Sequence, residues 1–176
     1  MKTLLQLNTS LFAGAGQSTQ LAERFAAFLA APESRTAEQQ AITSYSDALI
    51  DELRRADVIV IGLPMYNFGV PSSLKAYIDH IARAGITFRY TAQGPVGLLT
   101  GKKVYVFATR GGAYAGTPLD TQTTYVRDFL RFIGIDEVEF VYAEGLSMGD
   151  APKDKALAAA NTAIARIVGR ETALAA

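Results

Sequence analysis

Four short apolar runs alternate with longer stretches in which apolar residues recur every three or four positions. Residues 4–7 (Leu-Leu-Gln-Leu), 58–61 (Val-Ile-Val-Ile), 104–107 (Val-Tyr-Val-Phe) and 138–142 (Val-Glu-Phe-Val-Tyr) are the strand candidates. The second and third are apolar at successive positions, as strands covered by helices on both faces are. Between them, Leu21, Phe25, Phe28 and Leu29 mark a first helix, and Leu49, Ile50 and Leu53 a second. Leu74, Tyr77, Ile78 and Ile81 keep the i, i+3, i+4, i+7 spacing behind Pro71, which suits a helix start. Val126, Phe129, Leu130 and Ile133 repeat that spacing and meet a C-terminal stop at Gly134. Leu157, Ala160, Ile164, Ile167 and Val168 outline a last helix. Strands alternating with helices predict a parallel sheet with right-handed crossovers. The stretch 31–40 has no strand pattern, so the first helix runs almost directly into the second.

Composition narrows this picture. A chain of 176 residues, 49% hydrophobic and 19% charged, predicts one domain over residues 1–176 with a substantial core. Lys plus Arg and Asp plus Glu number 17 each, and no basic run is present, so nothing favours nucleic acid or an anionic membrane. The absence of cysteine and the single histidine, His80, exclude disulfides, a Cys nucleophile and multi-His metal centres. His80 falls off the apolar line of its helix and reads as a surface or interface residue. The apolar run after Met1-Lys2-Thr3 is too brief for a signal-peptide core or a membrane span, so a cytoplasmic protein is expected.

Three loops that follow strands carry the candidate chemistry. Residues 8–19, Asn-Thr-Ser-Leu-Phe-Ala-Gly-Ala-Gly-Gln-Ser-Thr, join a strand to a helix through two glycines and several hydroxyls. The unpaired amides and positive dipole end of that helix favour a phosphate. Gly14 and Gly16 permit close backbone approach, and Ser10, Gln17 and Ser18 can donate hydrogen bonds. The glycine pattern is neither a dinucleotide fingerprint nor a nucleoside-triphosphate loop, since Thr19 replaces the last glycine and no Lys follows. Residues 62–71, Gly-Leu-Pro-Met-Tyr-Asn-Phe-Gly-Val-Pro, leave the carboxyl end of a central strand, where open parallel sheets bind ligands. Pro64 and Pro71 stiffen this loop, and Met65, Tyr66, Asn67 and Phe68 can flank and hydrogen-bond a flat heteroaromatic ring. Residues 108–114, Ala-Thr-Arg-Gly-Gly-Ala-Tyr, bring the Gly111 and Gly112 amides close to a ligand's polar edge.

Together with residues 83–91 (Arg-Ala-Gly-Ile-Thr-Phe-Arg-Tyr-Thr), 97–103 (Gly-Leu-Leu-Thr-Gly-Lys-Lys) and 132–135 (Phe-Ile-Gly-Ile), these segments resemble the flavin-dependent NADH-azoreductase family, related to the NAD(P)H quinone reductases and flavodoxins. The resemblance runs through nearly the whole chain. It implies a flavodoxin-like α/β fold, one FMN per subunit, NADH or NADPH as electron donor, and a homodimer with the site at its interface. It further implies two-electron transfer to azo compounds and quinones by a ping-pong mechanism, with no catalytic side chain and no metal. Ser10, Gln17 and Ser18 match the phosphate-binding residues, with Gly16 among them. Pro64, Met65, Tyr66, Asn67 and Phe68 match the loop around the isoalloxazine ring, and Thr109, Gly111 and Gly112 the loop at its pyrimidine side. Arg110 is open between a charge near the flavin and a solvated side chain. Tyr90, Tyr114 and Phe132 match the substrate pocket, Phe132 reaching in from the partner.

The chain departs from that pattern twice. Gly16 stands where the family has a serine, removing one donor worth roughly 1 kcal/mol. The family's second strand and the long loop after it are replaced by about ten residues, which leaves four parallel strands with helices on both faces and the usual edge strand missing. Two other functions share these loops: a flavodoxin-type electron carrier, against which the balanced charge counts, and a non-catalytic flavin-binding scaffold.

Overall fold

The computed structural model describes Ala27 and residues 30–174. The expected strand over 4–7, the first helix and the loop holding Ser10, Gly16, Gln17 and Ser18 lie outside the described residues. From residue 30 the chain passes through a single 3₁₀ turn, Pro32–Ser34, into helix α1, Ala37–Arg55. No strand separates residue 30 from α1, as the sequence pattern predicts. Thr36 and Gln39 cap α1 reciprocally: the Thr36 hydroxyl accepts from the Gln39 amide and the Gln39 side chain accepts from the Thr36 amide.

The remaining elements are β1 (Val58–Pro64), α2 (Ser72–Ile81), β2 (Phe88–Thr91), β3 (Gly94–Gly97), β4 (Lys103–Thr109), α3 (Thr121–Phe132), β5 (Glu137–Ala143) and α4 (Asp150–Leu174). Strands β1, β4 and β5 form a parallel sheet in the order β1-β4-β5. Three of the four expected parallel strands are therefore in place, and the fourth candidate is the one outside the described residues. Among the described residues β1 is an outer strand, with Val58 and Val60 exposed.

The central strand shows why successive apolar positions predict burial on both faces. Val104 and Val106 pack with Ile50 and Leu53 of α1, Ile81 of α2, and Val126 and Leu130 of α3. Tyr105, between them in sequence, points to the opposite face and packs with Val141 of β5 and Ile167 of α4. Pro71 caps α2, and Gly134 follows α3 with φ +104°, a conformation that favours glycine. The sheet register matters most for function. Pro64 pairs with Thr109, and Thr109 with Ala143, so all three strands end at one level.

Residues Phe88–Thr91 form one arm of an antiparallel hairpin, β2–β3, separate from the main sheet. One sequence expectation needs correction. His80 is buried at 5% exposure, not at the surface. Its ring stands edge-on to Tyr45 of α1 at 4.9 Å, and its carbonyl accepts from the Ser46 hydroxyl at 2.6 Å. The helix face that solvent would have taken is covered because α1 packs there.

Candidate active site

The common strand level brings the second and third loops together at the carboxyl rim of the sheet. The Met65 amide donates to the Thr109 carbonyl at 3.0 Å and ties the two loops at their roots. Beyond it, Tyr66 and Gly69 exchange both backbone hydrogen bonds, at 3.2 and 2.9 Å, and close a two-residue turn. Asn67 and Phe68, the residues at its tip, have φ values of +49° and +60°. Such a turn favours Asn and Gly; Asn67 meets the preference, whereas Phe68 takes a conformation that is costly for a bulky residue.

The third loop is anchored to the connection between β5 and α4. The Arg110 amide donates to Ala143, and the amides of Leu146, Ser147 and Gly145 donate to the carbonyls of Arg110, Gly111 and Gly112. The carbonyls of the glycine pair are thus occupied, while among the described residues no hydrogen bond is made by the amides of Gly111 and Gly112, nor by those of Asn67 and Phe68. A β-carbon on Gly112 would stand 2.5 Å from the Tyr114 hydroxyl, so glycine there is what lets Tyr114 fold back over the loop.

These two loops enclose a hollow of about 250 Å³ lined by Met65, Asn67, Phe68, Gly111, Gly112 and Tyr114. The Phe68 and Tyr114 rings meet edge to face at 5.4 Å. Tyr66 is exposed at the rim. A concavity with aromatic walls and four unpaired amides on its loops matches a flat ligand whose edge presents hydrogen-bond acceptors.

The other candidates are distributed differently. Pro64 and Thr109 terminate their strands and contribute carbonyls: Pro64 to the Gln122 side chain, Thr109 to Met65. Tyr90 is exposed on β2, 5.5 Å edge-on from Phe88. Phe132 packs its ring 4.3 Å from that of Phe88 and so sits under the hairpin. Neither Tyr90 nor Phe132 lines the hollow.

Arg110 does not line it either. Its side chain is wholly buried, and the guanidinium donates to Asp120 at 2.6 Å, to Glu144 at 3.1 Å and to the Thr123 hydroxyl at 3.1 Å, and lies 5.1 Å over the Tyr142 ring. The solvated reading is therefore replaced by a third role: fixing the residue that precedes the glycine pair. Burial alone would push the Asp120 carboxyl up, but hydrogen bonds from Arg110 and from the Thr123 hydroxyl and amide outweigh it and hold it below the usual carboxylate range. Glu144 extends the same network, accepting from the amides of Tyr114 and Ala115 at 2.8 Å each.

Sequence reasoning missed Asp120, Gln122, Thr123 and Glu144. Asp120 carried a readable signal, an N-cap residue directly before a helical pattern; its side chain accepts from the Thr123 amide at 3.1 Å. The others act through contacts with residues distant in sequence and carried none.

The family model described as flavodoxin-like fold matches residues 5–168. An FMN-dependent NADH:quinone oxidoreductase of Burkholderia thailandensis is 50% identical over 198 residues, covering 95% of this chain and 100% of that protein. Its namesake from Cellvibrio japonicus is 49% identical over 191 residues, covering 91% and 95%. A third protein of that name, from Alcanivorax borkumensis, is 63% identical over 139 residues, covering 79% of this chain and 70% of its own. An FMN-dependent NADH-azoreductase of Bacillus anthracis, solved in complex with FMN, superposes with TM-score 0.71 at 28% identity, covering 82% of this chain and 73% of that one. The azoreductase AzrA superposes with TM-score 0.76 at 29% identity, covering 84% and 74%.

The lengths also locate the departure. Ninety-five per cent of 176 residues is about 167, against 198 aligned positions with the B. thailandensis protein, so about 31 positions have no counterpart here. The 139-residue match to the A. borkumensis protein accounts for 79% of this chain without such a gap, so the shortfall lies outside it. With three parallel strands, helices on both faces and two loops meeting at one rim, the chain belongs to the flavodoxin-like FMN-dependent NADH:quinone oxidoreductase family.

Proposed function

We propose that this protein is an FMN-dependent oxidoreductase that carries two electrons from NADH to quinones and to azo compounds. The observation that carries the reading is the hollow at the sheet rim, where unpaired amides of two loops stand beside two aromatic rings. These residues fit a flavin: its pyrimidine edge is rich in acceptors, and its faces are flat and apolar. The Gly111 and Gly112 amides would hold that edge, with Asn67 and Phe68 at the opposite side and Met65 and Tyr114 completing the walls. FMN, when bound, supplies the hydride-accepting and electron-donating chemistry between NADH and the acceptor. The chain's own contribution is orientation, a fixed set of main-chain dipoles and partial exclusion of water. Among the described residues the hollow is lined by no carboxylate, lysine, arginine or histidine.

The same reading holds that NADH and acceptor use one pocket in turn, which gives ping-pong kinetics, and that the protein is a cytoplasmic homodimer. Exposed Tyr66 and Phe68 on the rim, and Tyr90, Val96 and Leu98 on or beside the hairpin, support a partner surface. The test is a protein purified with FMN: anaerobic NADH should bleach its yellow colour, and a quinone should restore it. Double-reciprocal plots at several NADH concentrations should be parallel. Bound flavin that NADH leaves oxidised would favour an electron carrier, and intersecting lines would exclude the shared pocket.

A further inference from the structure

We propose that Gln122 is a positioning residue for the Tyr66–Gly69 turn, and that the first turn of α3 holds both rim loops in one arrangement. This rests on the FMN reading. Gln122 is wholly buried, and its Nε2 donates to the Pro64 carbonyl at 2.9 Å and to the Gly69 carbonyl at 2.8 Å. Those carbonyls lie at the start and the end of the loop that presents Met65, Asn67 and Phe68. The adjacent Thr121 hydroxyl donates to the Phe68 carbonyl at the tip. Strained backbone persists only where its surroundings over-determine it, and here consecutive left-handed non-glycine residues are held from three points by two neighbouring side chains.

The flanking residues of the same helical turn hold the other loop. Asp120 and Thr123 both bind the Arg110 guanidinium, one residue before the glycine pair. Alternate grips on a single rigid turn therefore fix the separation of the two walls of the hollow. The Gln122 Oε1 is buried without a hydrogen-bond partner. A buried amide with its oxygen unmet is a poor choice for stability alone, where an apolar residue of similar volume serves better. What the amide provides is a pair of donors at fixed spacing.

The test uses the full chain carrying Gln122→Met, which keeps the length and removes the donors. In the FMN-free protein, amide exchange at Tyr66 and Gly69 should accelerate about tenfold relative to α4, and FMN should bind about tenfold more weakly by flavin fluorescence. Exchange that is unchanged, or that rises equally in α4, makes Gln122 merely structural and overturns the proposal; so does faster exchange with an unaltered FMN affinity. Should Gln122→Met not fold, Thr121→Val removes only the contact at the tip and should shift both readouts the same way by a smaller factor; no shift in that variant overturns the proposal as well. Wild-type protein that takes up no FMN would defeat the parent reading, while the exchange result would still report on the strap.

Discussion

Arg110 illustrates how a residue's neighbours, not its type, decide its role. In the sequence it is a cation beside two glycines; in the fold it is a buried clamp between Asp120 and Glu144. Removing it leaves the Asp120 and Glu144 carboxylates without their shared cation, and losing one side of a buried ion pair costs about 3–5 kcal/mol. Arg110→Met should lower the urea unfolding free energy by that order. A loss below about 1 kcal/mol would show that the network does not carry the loop. Asp120 gives this a pH signature. Its folded pKa lies below the unfolded value, so its stabilisation is complete above about pH 4 and fades as pH falls through the folded value. Asp120→Asn should therefore flatten the loss of stability between pH 5 and 3 in thermal melts; an unchanged acid limb would contradict the ion pair. The loop residues were legible because glycine, proline and aromatic residues directly after a strand have few other uses. Gln122 and Glu144 were not, because their partners stand 58 and 34 positions away in the chain.

At the scale of elements, periodicity served well wherever an element packs on the main sheet. The strands at 58, 104 and 138, and the helices behind Pro71 and before Gly134, all stand within a few residues of their predicted limits. The second arm of the β2–β3 hairpin escaped because it is only four residues, Gly-Pro-Val-Gly, which carry no alternation. It is seated by a backbone-to-backbone approach instead. A β-carbon on Gly97 would fall 2.0 Å from the Gly134 nitrogen, and the Leu99 amide donates to Ile133 at 2.9 Å beside it. Gly97→Ala has no side chain to rotate away and should lower the melting temperature by several degrees, a cost of about 2 kcal/mol or more. It should also displace the Phe88–Phe132 contact and with it Tyr90. If the same substitution left stability untouched, the close approach of hairpin to α3 would be wrong.

For the whole molecule, the decisive fact is the common level at which Pro64, Thr109 and Ala143 end their strands. That register makes loops far apart in sequence neighbours in space. Among the described residues, every strand and loop that builds the hollow lies after α1 begins. A homodimer is expected from the exposed aromatic residues near the rim. Sedimentation should find twice the mass of 18.8 kDa, and a fully active monomer would remove the partner from the site. The measurement closest to the central claim is a titration of the isotopically labelled protein with FMN, followed by amide resonances. The backbone signals of Asn67, Phe68, Gly111 and Gly112 should move together and saturate with the flavin, while those along α4 stay in place. Flavin binding that leaves these four signals unmoved, or no binding at all, would contradict it.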